Sequence, residues 1–124
     1  MSEIKGIQIL DYEEYLLSDE FLQKSGYCSN DKIADARIPF CTDDEEIINI
    51  VCSLMEIKEE QILHLLVNGL LVKFQINDIR TAIHDIWKKT DHNIVLISEN
   101  KDSMYEFGSD SRDEENYLFD KYML

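Results

Sequence analysis

Proline occurs once in this chain of 124 residues, glycine four times and cysteine three times, and basic residues number 12 against 26 acids. Each scarcity removes a class of protein. So little proline and glycine excludes long flexible linkers and low-complexity segments. Cys28, Cys41 and Cys52 are an odd count with no CxxC spacing, which argues against a disulfide framework and for reduced thiols in a cytosolic protein. The longest apolar runs, such as residues 94–97, fall far short of the ~20 residues that cross a bilayer. The start, Met1-Ser2-Glu3-Ile4-Lys5, lacks the basic end and apolar stretch of a signal peptide, so the expected location is the cytoplasm.

What is present in excess is negative charge. The formal net charge is -14, while 44% of the residues are hydrophobic and 10% aromatic. The apolar content is too high for a disordered acidic chain, so a single folded domain, 1–124, with a real core is expected. The charge is uneven: -10 over residues 1–60, +1 over 61–98 and -5 over 99–124. A near-neutral middle flanked by acidic ends reads as a buried scaffold displaying acidic elements. Such a surface repels nucleic acid and anionic membrane and attracts basic partners.

Hydrophobic spacing predicts an α+β fold: a helical N-terminal half packed with a mainly antiparallel C-terminal sheet. Ile7-Gln8-Ile9 opens it as a short strand, 12–22 is helix-compatible, and 24–41 reads as a long connecting loop. Thr42-Asp43-Asp44-Glu45 is a capping-box pattern, with Thr42 as cap, ahead of a helix over 43–56 whose apolar side carries Ile47, Ile50, Val51, Leu54 and Met55. A second helix is predicted over 58–68, closed by Gly69. A strand over 70–76 follows, with Leu70, Val72, Phe74 and Ile76 on one side. A third helix, capped by Asn77 or Asp78 and running to Lys89, buries Ile79, Ile83, Ile86 and Trp87. Residues 94–97 read as a covered central strand, 99–102 as a turn, 104–107 as the return arm, 108–115 as an acidic loop and 117–122 as a last strand.

Chemistry-bearing patterns are weak. His64, taken as exposed on the second helix, His84 and His92 have no ligand spacing between them, and no cysteine stands beside one. Asp110, Asp113, Glu114 and Glu115 lack the central glycine and closing glutamate of a calcium loop, and Arg112 among them opposes a cation. Glu56-Ile57-Lys58 matches a nuclease fragment only over three residues and falls between helices. The helix pair 43–56 and 58–68 imitates a helix-turn-helix but offers Glu59 and Glu60 where DNA binding needs bases. No catalytic residue, metal site or cofactor is assigned, and the chain is not expected to be an enzyme.

The acidic clusters, with aromatics beside them, have the composition of a protein interface: a desolvated ring among charges that steer a basic partner. In size, charge and Tyr-plus-acid clusters the chain resembles the immunity proteins of bacterial polymorphic and contact-dependent toxin systems. Its segment Met104-Tyr105-Glu106-Phe107-Gly108-Ser109-Asp110-Ser111-Arg112 is similar to the end of small bacterial domains found beside toxin genes. The resemblance implies a cytoplasmic inhibitor that covers the active site or nucleic-acid-binding surface of one cognate basic toxin domain, a nuclease being the first expectation. It is expected to be monomeric before binding and to touch neither nucleic acid nor membrane. Its expected contact residues are Asp110, Asp113, Glu114 and Glu115 with Tyr105 and Tyr117 as anchors, then Asp43, Asp44, Glu45 and Glu46. The competing readings are an acidic adaptor or chaperone for a secreted effector, and a small enzyme built from His84 or His92 with a distant carboxylate.

Overall fold

A computed structural model of the chain describes residues 4–14, 33–67, 69–110 and 112–123. Within them lie seven strands, β1 (Ile7–Glu14), β2 (Ala36–Pro39), β3 (Ile62–Val67), β4 (Leu70–Ile76), β5 (Asn93–Ser98), β6 (Ser103–Asp110) and β7 (Asp113–Met123), and two helices, α1 (Asp44–Leu54) and α2 (Ile79–Lys89). All seven strands form one sheet in the order β1-β4-β3-β5-β6-β7-β2, with every neighbouring pair antiparallel.

This corrects the expected architecture. The N-terminal part is not a helical half packed on a C-terminal sheet; it supplies β1 and β2, the two edge strands of the same sheet. Residues 12–14, expected to begin a helix, finish β1, and 36–39, expected as loop, pair with β7. The rest of the helix expected over 12–22 lies outside the described residues.

The helix expected over 58–68 is instead β3. Ile62, Leu65 and Leu66 fit a helical spacing, but the strand is apolar because it is covered on both sides: Leu63 and Leu65 are buried toward α1 and α2, His64 on the opposite face. Val67 pairs with Leu70 across a tight β3–β4 turn that contains Gly69. Gly69 has φ +77°, the left-handed conformation this turn requires. The acidic loop expected over 108–115 is likewise mostly ladder. Asp110 at the end of β6 pairs with Asp113 at the start of β7.

One face of the sheet carries the main core. Ile47, Ile48 and Val51 of α1 and Ile83, Ile86 and Trp87 of α2 pack on Leu63, Leu65, Val72, Phe74, Leu96 and Phe107. Of the expected stripe of α2, Ile83, Ile86 and Trp87 are buried and Ile79 is only partly so, while Ala82 is buried in addition. The other face has a smaller cluster, Leu71, Ile97, Met104 and Tyr122. Both helices start on aspartate caps. Asp78 accepts from the Thr81 N–H at 3.1 Å. At α1 the cap is Asp43, not Thr42, accepting from the Glu46 N–H at 3.0 Å.

Both edges are blunted. β1 is bulged at Leu10, and the Asp11 carboxylate accepts the Tyr12 N–H at 2.8 Å. β2 is only four residues long and ends on Pro39. Bulges, charges and proline are the usual defences against edge-to-edge pairing.

Gly6 joins β1 to α2. Its carbonyl accepts from the Asn77 and Asp78 N–H groups at 2.9 and 3.1 Å, its φ is +78°, and a Cβ there would meet the Ala82 nitrogen at 2.7 Å. Gly69 has the same φ but open space around it. Gly69→Ala is therefore expected to cost about 1–2 kcal/mol from backbone strain alone, and Gly6→Ala about 2–4 kcal/mol because overpacking adds to it. Urea unfolding of both variants checks this; equal losses would mean that the contact with α2 contributes nothing.

Candidate protein-binding face

The β6–β7 turn uses its acids internally. Arg112 donates from Nη2 to Asp110 at 2.8 Å and also to Asp120, which is 1% exposed. Its backbone N–H donates to Asp110 at 2.8 Å. These hydrogen bonds raise the guanidinium pKa, and the Arg112 hydrogen bond lowers that of Asp110 against a smaller opposing effect of burial. Carboxylate oxygens of Glu106, Asp110 and Asp120 lie within 4.8 Å of one another, a spacing that could hold a metal ion, but the Arg112 guanidinium already bonds two of the three acids. Asp113 is equally committed. It accepts from the Glu115 N–H at 2.8 Å, from the Asn116 side chain at 3.0 Å and from Arg37 at 2.6 Å, and its pKa is lowered, chiefly by the Glu115 bond.

Glu114 and Glu115 are exposed, and among the described residues no hydrogen bond or ion pair engages their carboxylates. The same holds for Asp44, Glu45 and Glu46 in the first turn of α1, where the helix dipole favours them. Asp43 is exposed too, with one oxygen given to the cap.

The fold brings these two sets together. The Phe40 N–H donates to the Glu115 carbonyl at 3.1 Å, tying the end of β2 to the start of β7, and the Thr42 N–H donates to the Pro39 carbonyl at 3.0 Å, turning the chain into α1. Phe40 stands between them, 39% exposed, its ring edge-on to Tyr117 at 4.7 Å. It is the aromatic that sequence reasoning passed over. Its only signal was position, a large apolar residue just ahead of a capped acidic helix.

The two expected anchors are half-buried and pack against the core. Tyr117 lies against Trp87 at 5.1 Å and Phe107 at 5.7 Å. Tyr105 stacks on Phe119 at 6.3 Å, with Lys121 above it at 5.6 Å. Tyr117 thus supports Phe40 from beneath, while Tyr105 belongs to the part of the sheet near Lys121.

The histidines are dispersed. His92 stacks on Trp87 at 4.6 Å in the α2–β5 turn, where Asp91 and His92 both have positive φ. His84 lines a shallow cleft with Glu45 and Arg80 between the helices. His64, expected to be exposed, is 5% exposed on β3. Cys41 is an exposed free thiol; Cys52 is half-buried, and burial pushes its thiol pKa up, away from nucleophilic use. Cys28 lies outside the described residues. Among the described residues no helix is long and apolar enough to cross a membrane.

Comparison with protein-family models, with curated proteins and with solved structures gave no match.

Arg112→Ala leaves the buried Asp120 without its cation and is expected to cost about 3 kcal/mol or more. Adding Asp120→Asn should recover part of that loss, measured as the coupling in a double-mutant cycle; simple additivity would show that the pair is not coupled. The pH dependence follows from the same contacts. Asp110 and Asp113 are held below the ordinary 3.8 in the fold, so the unfolded chain binds more protons in acid. Their contribution is present above about pH 4 and lost as pH falls through the lowered folded values. Denaturation midpoints between pH 2 and 5 should rise with pH, less steeply in Asp113→Asn.

Proposed function

We propose that this chain is an immunity-type inhibitor, a cytoplasmic binding domain that captures one basic toxin domain and covers its active site or its nucleic-acid-binding surface. The observation that carries the reading is the placement of exposed Phe40 between two groups of carboxylates that have no partner among the described residues, Asp44 to Glu46 on one side and Glu114 and Glu115 on the other. A nuclease holds phosphates with Lys and Arg, so carboxylates presented at those positions compete with its substrate. Long-range attraction raises the association rate, and a central ring desolvated on binding slows dissociation. The face therefore has the two parts that fast and tight capture needs. Asp110 and Asp113, already bound by Arg112 and Arg37, serve as the frame of the turn and not as its contact. The inhibitor has no chemistry of its own to perform.

The test begins with capture of the partner on the tagged protein at low salt and continues with the partner's activity. The expected partner is a single basic protein in stoichiometric amount that degrades RNA or DNA and is inhibited by equimolar addition of this chain. Charge reversal at Glu114 and Glu115 together should lower the association rate at least tenfold at low salt, an effect that shrinks as salt rises. Phe40→Ala should act on dissociation, weakening the complex about 10- to 100-fold. A partner whose activity is untouched by binding would replace inhibition with the adaptor or chaperone reading. A complex indifferent to all three substitutions would remove this face.

A further inference from the structure

On the opposite face of the sheet lies a cleft of about 220 Å³ lined by Asp11, Glu13, His64, Lys73, Glu99 and Lys101. Register builds it. Asp11 is the cross-strand partner of Lys73, and Lys73 that of His64, so the three form one row over β1, β4 and β3. The turn between β5 and β6 folds against the end of this row. His64 Nε2 lies 3.1 Å from the Glu99 carbonyl oxygen, and Lys101 reaches across to pair with Glu13. That turn is braced. Ser98 Oγ donates to Asp102 at 2.8 Å and accepts the Asp102 and Ser103 N–H groups, each at 3.1 Å. Lys101 sits within it at φ +61°, a left-handed conformation that a lysine adopts only under constraint.

The carbonyl of Glu99 can only accept, so the hydrogen bond is donated from His64 Nε2. Nδ1 is buried and has no hydrogen-bond partner among the described residues. With Glu13 and Lys101 paired, the cleft presents the carboxylates of Asp11, one oxygen of which accepts the Tyr12 N–H, and Glu99, and one donor, Lys73, which has no ion-pair partner among the described residues; the His64 ring lies in its wall. The volume suits a molecule somewhat larger than benzene, which an apolar cavity of roughly 150 Å³ accepts.

We propose that this cleft binds a small zwitterion of the size of a free α-amino acid, its ammonium group facing the carboxylates of Asp11 and Glu99 and its carboxylate facing Lys73. A plain cation leaves Lys73 opposed, and a plain anion meets Asp11 and Glu99. Only a ligand carrying both charges matches both halves of the row. The site goes beyond the proposed inhibition and needs no toxin to be examined, so its failure and that of the inhibitory reading are separable.

The probe is L-leucine, whose apolar side chain suits the Leu71 wall of the cleft. It is titrated into the full chain carrying ¹⁵N-labelled histidine, with L-leucinamide as the cationic arm and N-acetyl-L-leucine as the anionic one. Leucine is expected to move the His64 Nδ1 resonance saturably while those of His84 and His92 stay still, and the two arms are expected to bind at least tenfold more weakly. Lys73→Met and Asp11→Asn should each weaken leucine binding at least tenfold with the thermal transition retained; asparagine keeps the oxygen that accepts the Tyr12 N–H. No saturable shift at His64, or equal binding of leucine and leucinamide, overturns the proposal. Equal binding of N-acetyl-leucine overturns it as well and leaves an anion site at Lys73. The three-ligand comparison on the unmodified chain decides the matter even where a variant does not fold.

Discussion

The contact on which the rest of this architecture depends is the burial of Trp87 between α2 and the sheet. The ring is fully buried, lies 5.3 Å from Phe107 and 5.1 Å from Tyr117, and is closed on a further side by His92. Removing a ring of this kind from a core costs about 3–5 kcal/mol, a large part of the stability of any domain of this size. The same contact reaches the surface. Trp87 holds Tyr117, Tyr117 holds the edge of Phe40, and Phe40 sets the turn from which α1 departs. The geometry of the acidic face is thus inherited from the core, and its central ring is held in place by the free chain, which under the proposed inhibition would lower the ordering cost of binding.

The surplus of acid is divided by side-chain length. Asp43, Asp78, Asp85, Asp102, Asp110, Asp113 and Asp120 each accept hydrogen bonds from a helix end, a turn, a lysine or an arginine. The carboxylates of the glutamates around Phe40 accept none among the described residues. A carboxylate one carbon from Cβ stays within reach of neighbouring backbone N–H groups, and one carbon more carries it into solvent. Aspartate here mostly builds the turns and glutamate mostly supplies the field. This is why a cluster such as Asp110 to Glu115 is two things at once: a frame made by Asp110 and Asp113, and a display made by Glu114 and Glu115.

That distinction also sets what could be read from the chain. β4 and α2 were legible because each combines one clear period with a clear stop, the Asp78 cap and the Lys88-Lys89 end of α2 being the plainest; β5 and β6 were legible as a short apolar run and its return arm on either side of the 99–102 turn. β3 was not, because a central strand covered on both faces loses its alternation, no polar turn sets it off as 99–102 sets off β5, and five apolar residues in six imitate a helix. The Asn68-Gly69 pair carried the missing information and was assigned to a helix end. The edge strands were hidden for the opposite reason: β1 mixes apolar and acidic residues around a bulge, and β2 is too short to show a period. The convergence of Asp43 to Glu46 with Glu114 and Glu115 depends on the β2–β7 pairing, a contact between residues more than seventy positions apart, and no local pattern announces it. Phe40 was missed with it.

A single sheet with blunted edges leaves its two faces as the surfaces on which function can be built, and this chain treats them differently. The helix side is closed by a continuous apolar core, so what it offers to a partner lies at its end, where β2, β7 and α1 meet. The other side has only the small cluster of Leu71, Ile97, Met104 and Tyr122, and polar groups can therefore sit between strands: His64, Lys73 and Asp11 in one row, Arg112 with Asp110 and Asp120 in another region. Polar groups so placed are costly unless matched. The Arg112 group is matched from within and reads as structure. The His64 row is matched only in part: Lys73 has no ion-pair partner among the described residues although Asp11 stands opposite it, and this unpaired charge in a braced cleft is what the proposed zwitterion would complete.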